Sequence, residues 1–206
     1  MHIVDGYLSG EVLIGGAILA AGGVALGLRS LSAEKIPMAG VLSASFFTAS
    51  LIHVPIGPSS AHLILNGLAG LVLGWAAFPA LFVGLLLQAV FFGFGGLTVL
   101  GVNTVNVALP AVAVHYLCRR GVAADSPATA AVWGAVGGAL SIALTTLCVA
   151  AALGLTGEEF VPAAKLVFFA HIPIMAVEGA LTAAAVLLIH RVRPEMLALF
   201  ATAARG

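Results

Sequence analysis

The chain has 206 residues, of which 62% are apolar and only 8% are charged, and its mean hydropathy is +1.18. A water-soluble globular domain carries about 25% charged and about 45–50% apolar residues, so this composition excludes that class and makes lipid the solvent of the fold. Eight Lys and Arg balance eight Asp and Glu, and this neutral balance argues against a nucleic-acid-binding surface.

Apolar runs follow one another along the chain with only short polar connections. Backbone polar groups in hydrocarbon must be satisfied internally, so each run is expected to be a helix, since none alternates strictly as a barrel strand does. Seven runs lie at residues 13–28, 38–52, 61–75, 78–94, 100–117, 130–155 and 163–189. We therefore predict an all-α, polytopic membrane bundle of about seven helices, with residues 1–206 forming a single integral membrane domain.

The second and third runs are too short to cross a bilayer, which takes about 20 residues of helix. The connection between them, residues 52–62, contains Pro and Gly, which interrupt helices, together with Ser and His, which can bind ligands. Irregular backbone is tolerated at membrane depth where it is buried in protein. We expect one or both helices to stop part-way, with their connection dipping into the bundle.

The basic residues predict the orientation of the chain. Those in the odd-numbered connections and the C-terminal tail are Arg29, Lys35, Arg119, Arg120, Arg191, Arg193 and Arg205, whereas Lys165 lies on the other side. Cytoplasmic segments carry the positive excess, so the N-terminus is expected outside and the C-terminus inside. The leader before the first run has no Lys or Arg, which is unlike a signal peptide, and we expect no cleavage there.

Ionisable residues at membrane depth are rare, and each is a candidate functional group. They are His62, His115, His171 and Glu178, with His53 at a helix end. His115, close to Arg119, and His190, beside Arg191, fit interfacial positions. Glu178 shares a helix face with His171 about 10 Å away, and either a structural partner on another helix or a functional role is compatible with it. Cys118 and Cys148 lie in apolar runs and are expected to be buried small side chains.

The N-terminus presents a set of nitrogens suited to a metal ion. In Met1-His2 the α-amine and the amide nitrogen of residue 2 close a five-membered chelate ring, and that amide and the imidazole close a six-membered one. Nickel(II) or copper(II) prefers a square plane of such ligands, and His62 can supply the fourth nitrogen. A histidine at position 2 does not by itself define a metal site.

Several segments together are similar to one family. They are residues 1–9 (MHIVDGYLS), 57–62 (GPSSAH), Gln88, 95–104 (GGLTVLGVNT), 171–173 (HIP) and 178–179 (EG). They resemble the CbiM/NikM family, whose members are substrate-binding S components of energy-coupling factor (ECF) ABC transporters that import cobalt or nickel ions. The resemblance covers nearly the whole chain.

The resemblance implies that Met1, His2 and His62 bind the ion, with the N-terminal segment inserted into the bundle. The ion is then the cargo, taken from outside, and no resident cofactor and no enzymatic activity are expected. Ser59, Ser60 and Asn103 are candidates for hydrogen bonds that orient the ligands, although helix capping explains each equally well. The family pattern differs at Val4-Asp5-Gly6, at Ser59-Ser60-Ala61-His62 and at Phe94, where members have a histidine.

The resemblance also implies partners and a location. The partners are a transmembrane CbiQ-like T component, a cytoplasmic CbiO-like ATPase and a small CbiN-like membrane protein, all in a prokaryotic plasma membrane. The chain ends at Gly206 without the fused module of some members. The opening and loop sequences favour cobalt as cargo, whereas a planar four-nitrogen site favours nickel.

Two other functions fit parts of the sequence. His62 and His171 could be axial haem ligands in an electron-transfer subunit. Ser59 or Ser60 with a histidine base could serve an intramembrane hydrolase. Neither alternative gives the N-terminal Met1-His2 a role.

Overall fold

A computed structural model of the chain describes residues 2–51, 53–56 and 59–193, of which 53–56 and 59–61 are described by backbone alone. The helices are α1 Gly10–Ser30, α2 Ile36–Ala49, α3 Asn66–Leu73, α4 Ala77–Phe92, α5 Leu100–Val122, α6 Pro127–Thr156, α7 Val161–Ala170 and α8 Ile172–Val192. Two short strands, β1 His53–Ile56 and β2 Ser59–His62, form a hairpin. Three 3₁₀ turns lie at Ala33–Lys35, Gly74–Ala76 and Glu158–Phe160.

The predicted helical membrane bundle is confirmed. Within the described residues, five segments are long and apolar enough to cross a membrane: Gly10–Ser30, Asn66–Phe92, Leu100–Val122, Pro127–Thr156 and Ile172–Val192. The second of these combines α3 and α4, which are joined through a single 3₁₀ turn. As expected from the short second and third runs, α2 has only 14 residues and α3 only eight.

Two of the predicted runs differ from the observed elements. The third run was predicted to be helical from residue 61, but Ala61 lies on β2 and the helix begins only at Asn66. In the antiparallel hairpin, His53 pairs with His62, so the backbone groups there are satisfied without a helix. The seventh run is divided at His171 into α7 and α8, because Pro173 has no N–H for a continuous helix and its ring disfavours one.

Small residues allow the central helices to approach closely. A methyl group on Gly70 of α3 would overlap the backbone carbonyl of Ala111 in α5, and one on Gly138 of α6 would lie 2.5 Å from the carbonyl oxygen of Glu178 in α8. Asn66 adds a polar tie, since its Nδ2 donates to the carbonyl of Val107 at 2.9 Å and to Thr145 at 2.9 Å. These contacts fix α3, α5, α6 and α8 relative to one another.

Candidate metal centre

The N-terminal segment lies inside the bundle, as the sequence predicts. His2 is only 3% exposed and Ile3 is fully buried. The Asn103 side chain of α5 holds the segment at both polar groups of one residue: Ile3 N donates to Oδ1 at 2.9 Å, and Nδ2 donates to the Ile3 carbonyl at 3.0 Å. Asn103 therefore fixes the backbone immediately after His2.

Asp5 provides a second attachment of the same segment. Its backbone N–H donates to the Gly95 carbonyl at 2.9 Å, and its Oδ1 accepts from Thr98 Oγ1 at 2.5 Å and from Val99 N at 3.3 Å. Gly96 makes room for this carboxylate, because a side chain there would overlap Asp5, and its φ of +130° is one that other residues rarely adopt. No motif in the sequence indicates this role for Asp5.

The end of β2 places His62 against His2. The His62 side chain is 4% exposed, and its Nδ1 lies 2.7 Å from the Leu63 carbonyl oxygen. The rings of His2 and His62 are 4.7 Å apart between centroids and are nearly parallel, at 23°. Two imidazoles bound to one ion in adjacent positions, at metal–nitrogen distances of about 2.0–2.1 Å, would have centroids about 4.5 Å apart. The centroid distance of the observed pair is thus close to that of two imidazoles on one ion.

The Phe94 ring lies beside the His2 ring. Its ring is 6.3 Å from the His2 ring at 21°, and it also contacts Phe92 at 5.5 Å. The position that departs from the family pattern therefore contributes an aromatic contact to the histidine.

The other predicted ligand-supporting residues are only partly described. Met1 lies outside the described residues, so its amine as a ligand stays a prediction. Ser59 and Ser60 pair with Ile56 and Pro55 along the hairpin, and any hydrogen bonds from their side chains stay predictions. Within the part of the chain that is described, no group of three or more His, Cys, Asp or Glu side chains is placed to hold an ion.

Two further buried ionisable groups, Glu178 and His171, lie against backbone groups. Glu178 is fully buried and accepts hydrogen bonds from the backbone of Ile64 and Leu65. His171 Nδ1 lies 2.6 Å from the Val167 carbonyl. Glu178 and His171 therefore each have a hydrogen-bond partner in the backbone.

Two further histidines lie at the other end of the bundle. His115 is buried, at 7% exposure, and its Nδ1 contacts the Gly70 carbonyl at 3.1 Å. It thereby satisfies a carbonyl near the end of α3. His190 Nε2 lies 3.2 Å from the Ala124 carbonyl.

Fold and site together define a polytopic helical membrane protein with a buried pair of histidines, His2 and His62. The family model for the cobalt uptake substrate-specific transmembrane region, CbiM, matches residues 2–196. The chain belongs to this family. It is therefore a component of cobalt or nickel transport and not an enzyme.

Individual relatives agree with this assignment. A Haemophilus influenzae protein whose name assigns it to metal transport is 40% identical over 96% of this chain and 97% of its own length. The fused nickel transport protein NikMN of Rhodobacter capsulatus is 38% identical over 61% of this chain, which spans only 39% of that longer protein. A crystal structure described as a transition metal transporter covers 100% of both chains with a TM-score of 0.80 at 27% identity.

Replacing Asn103 by Ala is expected to release the N-terminal segment. The change leaves the Ile3 N–H and carbonyl without their partners, at a cost of about 1–3 kcal/mol for each buried group. Loss of a residue that orients metal ligands typically lowers metal affinity about 10–100-fold. Thermal unfolding and titration with cobalt(II) measure both effects.

Asn106→Ala is the matched control for this change. Asn106 lies one turn further along α5, is also buried, and its Nδ2 makes no hydrogen bond to a described residue. Its replacement should leave cobalt affinity close to the native value, since the hydrogen bonds between Asn103 and Ile3 are untouched. Equal affinity losses in the two variants would contradict the role given to Asn103.

Proposed function

We propose that this chain captures a divalent late transition metal ion, cobalt(II) with nickel(II) as the alternative, and delivers it for import. The proposed ligands are the Met1 amine, the His2 amide nitrogen and imidazole, and the imidazole of His62. The observation that carries the proposal is the buried His2–His62 pair, with ring centroids 4.7 Å apart. Because the loop and the N-terminal segment are separately attached to the bundle, both rings are held in place before an ion arrives.

The two attachments of the N-terminal segment support the chelate in different ways. Asn103 bonds to Ile3, the residue directly after His2, and Asp5 bonds to the 95–99 segment. Together they fix the chain direction at His2. A preorganised chelate loses less conformational freedom on binding than a flexible terminus would.

Ion capture at this site has a chemical consequence for protons. The amine, the amide and the imidazoles must each present a lone pair, so binding releases protons to the outside solution. A dry pocket then excludes water from the remaining coordination positions. Ser59 and Ser60, on the same hairpin as His62, are proposed to orient that ligand.

The choice of cargo rests on two opposed arguments. The description of the family is of cobalt uptake, and this favours cobalt. A planar set of four nitrogens favours nickel, which also binds more strongly in the general order of divalent metals. A nickel transport protein among the relatives keeps the second cargo open.

Metal analysis of the purified chain tests the proposal. After incubation with equal concentrations of cobalt(II) and nickel(II) and removal of free ions, we expect about one ion per chain, with cobalt in excess. Mass spectrometry of the metal content gives the ratio. Nickel in excess would reverse the cargo assignment, and a chain free of both metals would overturn the proposed function.

Energy for import must come from other subunits in this proposal. We propose a CbiQ-like transmembrane component, a CbiO-like ATPase and a small CbiN-like protein as partners, as in an ECF-type transporter. The N-terminus and its metal site face outside, and the basic ends of α1, α5 and α8 face the cytoplasm. Co-purification of the chain with these subunits, and cobalt uptake that depends on ATP hydrolysis, are the expected results.

A further inference from the structure

Glu178 is a buried carboxylate that lies on α8 and bonds to the loop that follows His62. Its side chain is fully buried. Oε1 accepts from the backbone N–H of Ile64 at 2.5 Å and from that of Leu65 at 2.9 Å, and Oε2 accepts from Leu65 at 3.1 Å. A charged acceptor makes stronger hydrogen bonds than a neutral one. The loop is therefore fixed to α8 directly after the histidine.

One peptide group connects this carboxylate to His62. The N–H of Ile64, which donates to Glu178, belongs to the same peptide as the Leu63 carbonyl, which lies 2.7 Å from His62 Nδ1. A carbonyl oxygen can only accept, so Nδ1 must carry the proton and donate to it. The neutral ring then has its lone pair on Nε2, the nitrogen that we propose binds the ion.

Hydrogen bonds in a chain polarise one another, most strongly where water is excluded. The carboxylate accepts the Ile64 N–H and repels electron density along the Leu63–Ile64 peptide toward the carbonyl oxygen. The Leu63 carbonyl is then a better acceptor for the His62 Nδ1–H. Metal-binding histidines commonly donate their second N–H to a carboxylate or a carbonyl, which fixes the tautomer and raises the basicity of the ligating nitrogen. Here the Leu63 carbonyl accepts from His62, and the Glu178 carboxylate accepts from the N–H of the same peptide.

Glu178 itself is held firmly. Gly138 of α6 packs against its backbone carbonyl, where even a methyl group would lie 2.5 Å from the oxygen. Leu65, whose φ of 57° lies in the left-handed region that Leu rarely adopts, donates its N–H to the same carboxylate. The Leu63–Ile64 peptide and the strained Leu65 thus share one side chain as hydrogen-bond acceptor.

We infer that Glu178 is a positioning residue of the metal site, which sets the tautomer and orientation of His62 through the Leu63–Ile64 peptide. The metal-binding consequence rests on the proposed function. The tautomer of His62 does not, because it is a property of the metal-free chain. The two can therefore be tested separately.

The first test is ¹⁵N NMR of the histidine rings in the metal-free protein, with His62→Gln identifying the His62 signals. The native chain should show His62 with its proton on Nδ1. In Glu178→Gln the negative charge is lost and the amide NH₂ faces backbone donors, so the Nε2–H tautomer should become populated. Glu178→Asp keeps the charge and should largely retain the native signal.

Thr182→Val is the matched control. Thr182 lies on α8 one turn from Glu178 and is also fully buried, and its hydroxyl bonds to no described residue. This variant should keep the native His62 signals. A native chain with the proton on Nε2, or Glu178→Gln with unchanged signals, overturns the inference, and the first of these outcomes is decisive even if Glu178→Gln fails to fold.

The second test is cobalt(II) titration of the same proteins. Glu178→Gln should bind about 10–100-fold more weakly than the native chain, with Glu178→Asp between them and Thr182→Val unchanged. Native affinity in a folded Glu178→Gln overturns the inference. If the native chain has the Nδ1–H tautomer but binds neither cobalt nor nickel, the proposed function fails and the tautomer assignment stands.

Discussion

A three-residue extension ahead of Met1 is expected to abolish tight binding of cobalt and nickel. The extension converts the Met1 amine into an amide and moves the free terminus away from His2, so the five-membered chelate ring can no longer form with an amine. It also has to pass through a space in which His2 is only 3% exposed. Loss of a direct ligand should exceed the 10–100-fold effect of losing a residue that orients one, so we expect a decrease of more than about 100-fold.

The length of the extension matters. A single added residue would make His2 the third residue, and a terminal amine, two amides and that imidazole would form a new planar four-nitrogen set. Three added residues avoid this. The measurement is metal content and titration of the purified chain before and after a protease removes the extension to leave Met1 first.

Removal of the extension should restore binding, and the same three residues placed after Gly206 should have no effect. Full metal affinity in the N-terminally extended chain would contradict the assignment of the Met1 amine.

Replacing His62 by Ala is expected to have an effect of similar size. The variant keeps the N-terminal chelate but loses the fourth nitrogen and the ring that lies 4.7 Å from His2. Water can then enter the vacated position, and the planar geometry is no longer enforced by the protein. Affinity should fall more than about 100-fold, and the visible absorption of the bound ion should change with its ligand set.

His190→Ala provides the comparison for His62→Ala. It removes one of the six histidines from the C-terminal end of α8, where His190 contacts the Ala124 carbonyl. Titration should give the native affinity for this variant. If His62→Ala also binds with native affinity and spectrum, His62 is not a ligand.

Hydropathy was sufficient to locate most of the helices. The runs at 13–28, 100–117 and 130–155 lie within α1, α5 and α6, respectively, because a long apolar stretch in lipid has few alternatives to a helix. The break at His171 was less visible, since the apolar run continues through it and only Pro173 marks it. The hairpin was also missed, because its backbone pairing with β1 is a contact between two segments that neither segment reveals alone.

Some residues of the candidate site were predicted from the sequence, and others were not. His2 and His62 were predicted because adjacent nitrogens at the N-terminus make a chelate in any fold and because the family resemblance supplied the fourth ligand. The attachment of Asp5 to the 95–99 segment and that of Glu178 to the loop at residues 64–65 join residues distant in sequence. Their partners are backbone groups, which carry no signature in the amino-acid sequence.

X-ray absorption at the metal edge of the loaded native chain identifies the atoms that bind the ion. We expect four nitrogen neighbours in one plane at about 2 Å, two of them with the outer-shell scattering of imidazole rings, and no sulfur. A six-coordinate shell dominated by oxygen, or a shell with a single imidazole, would contradict the binding of one ion between the N-terminus and His62.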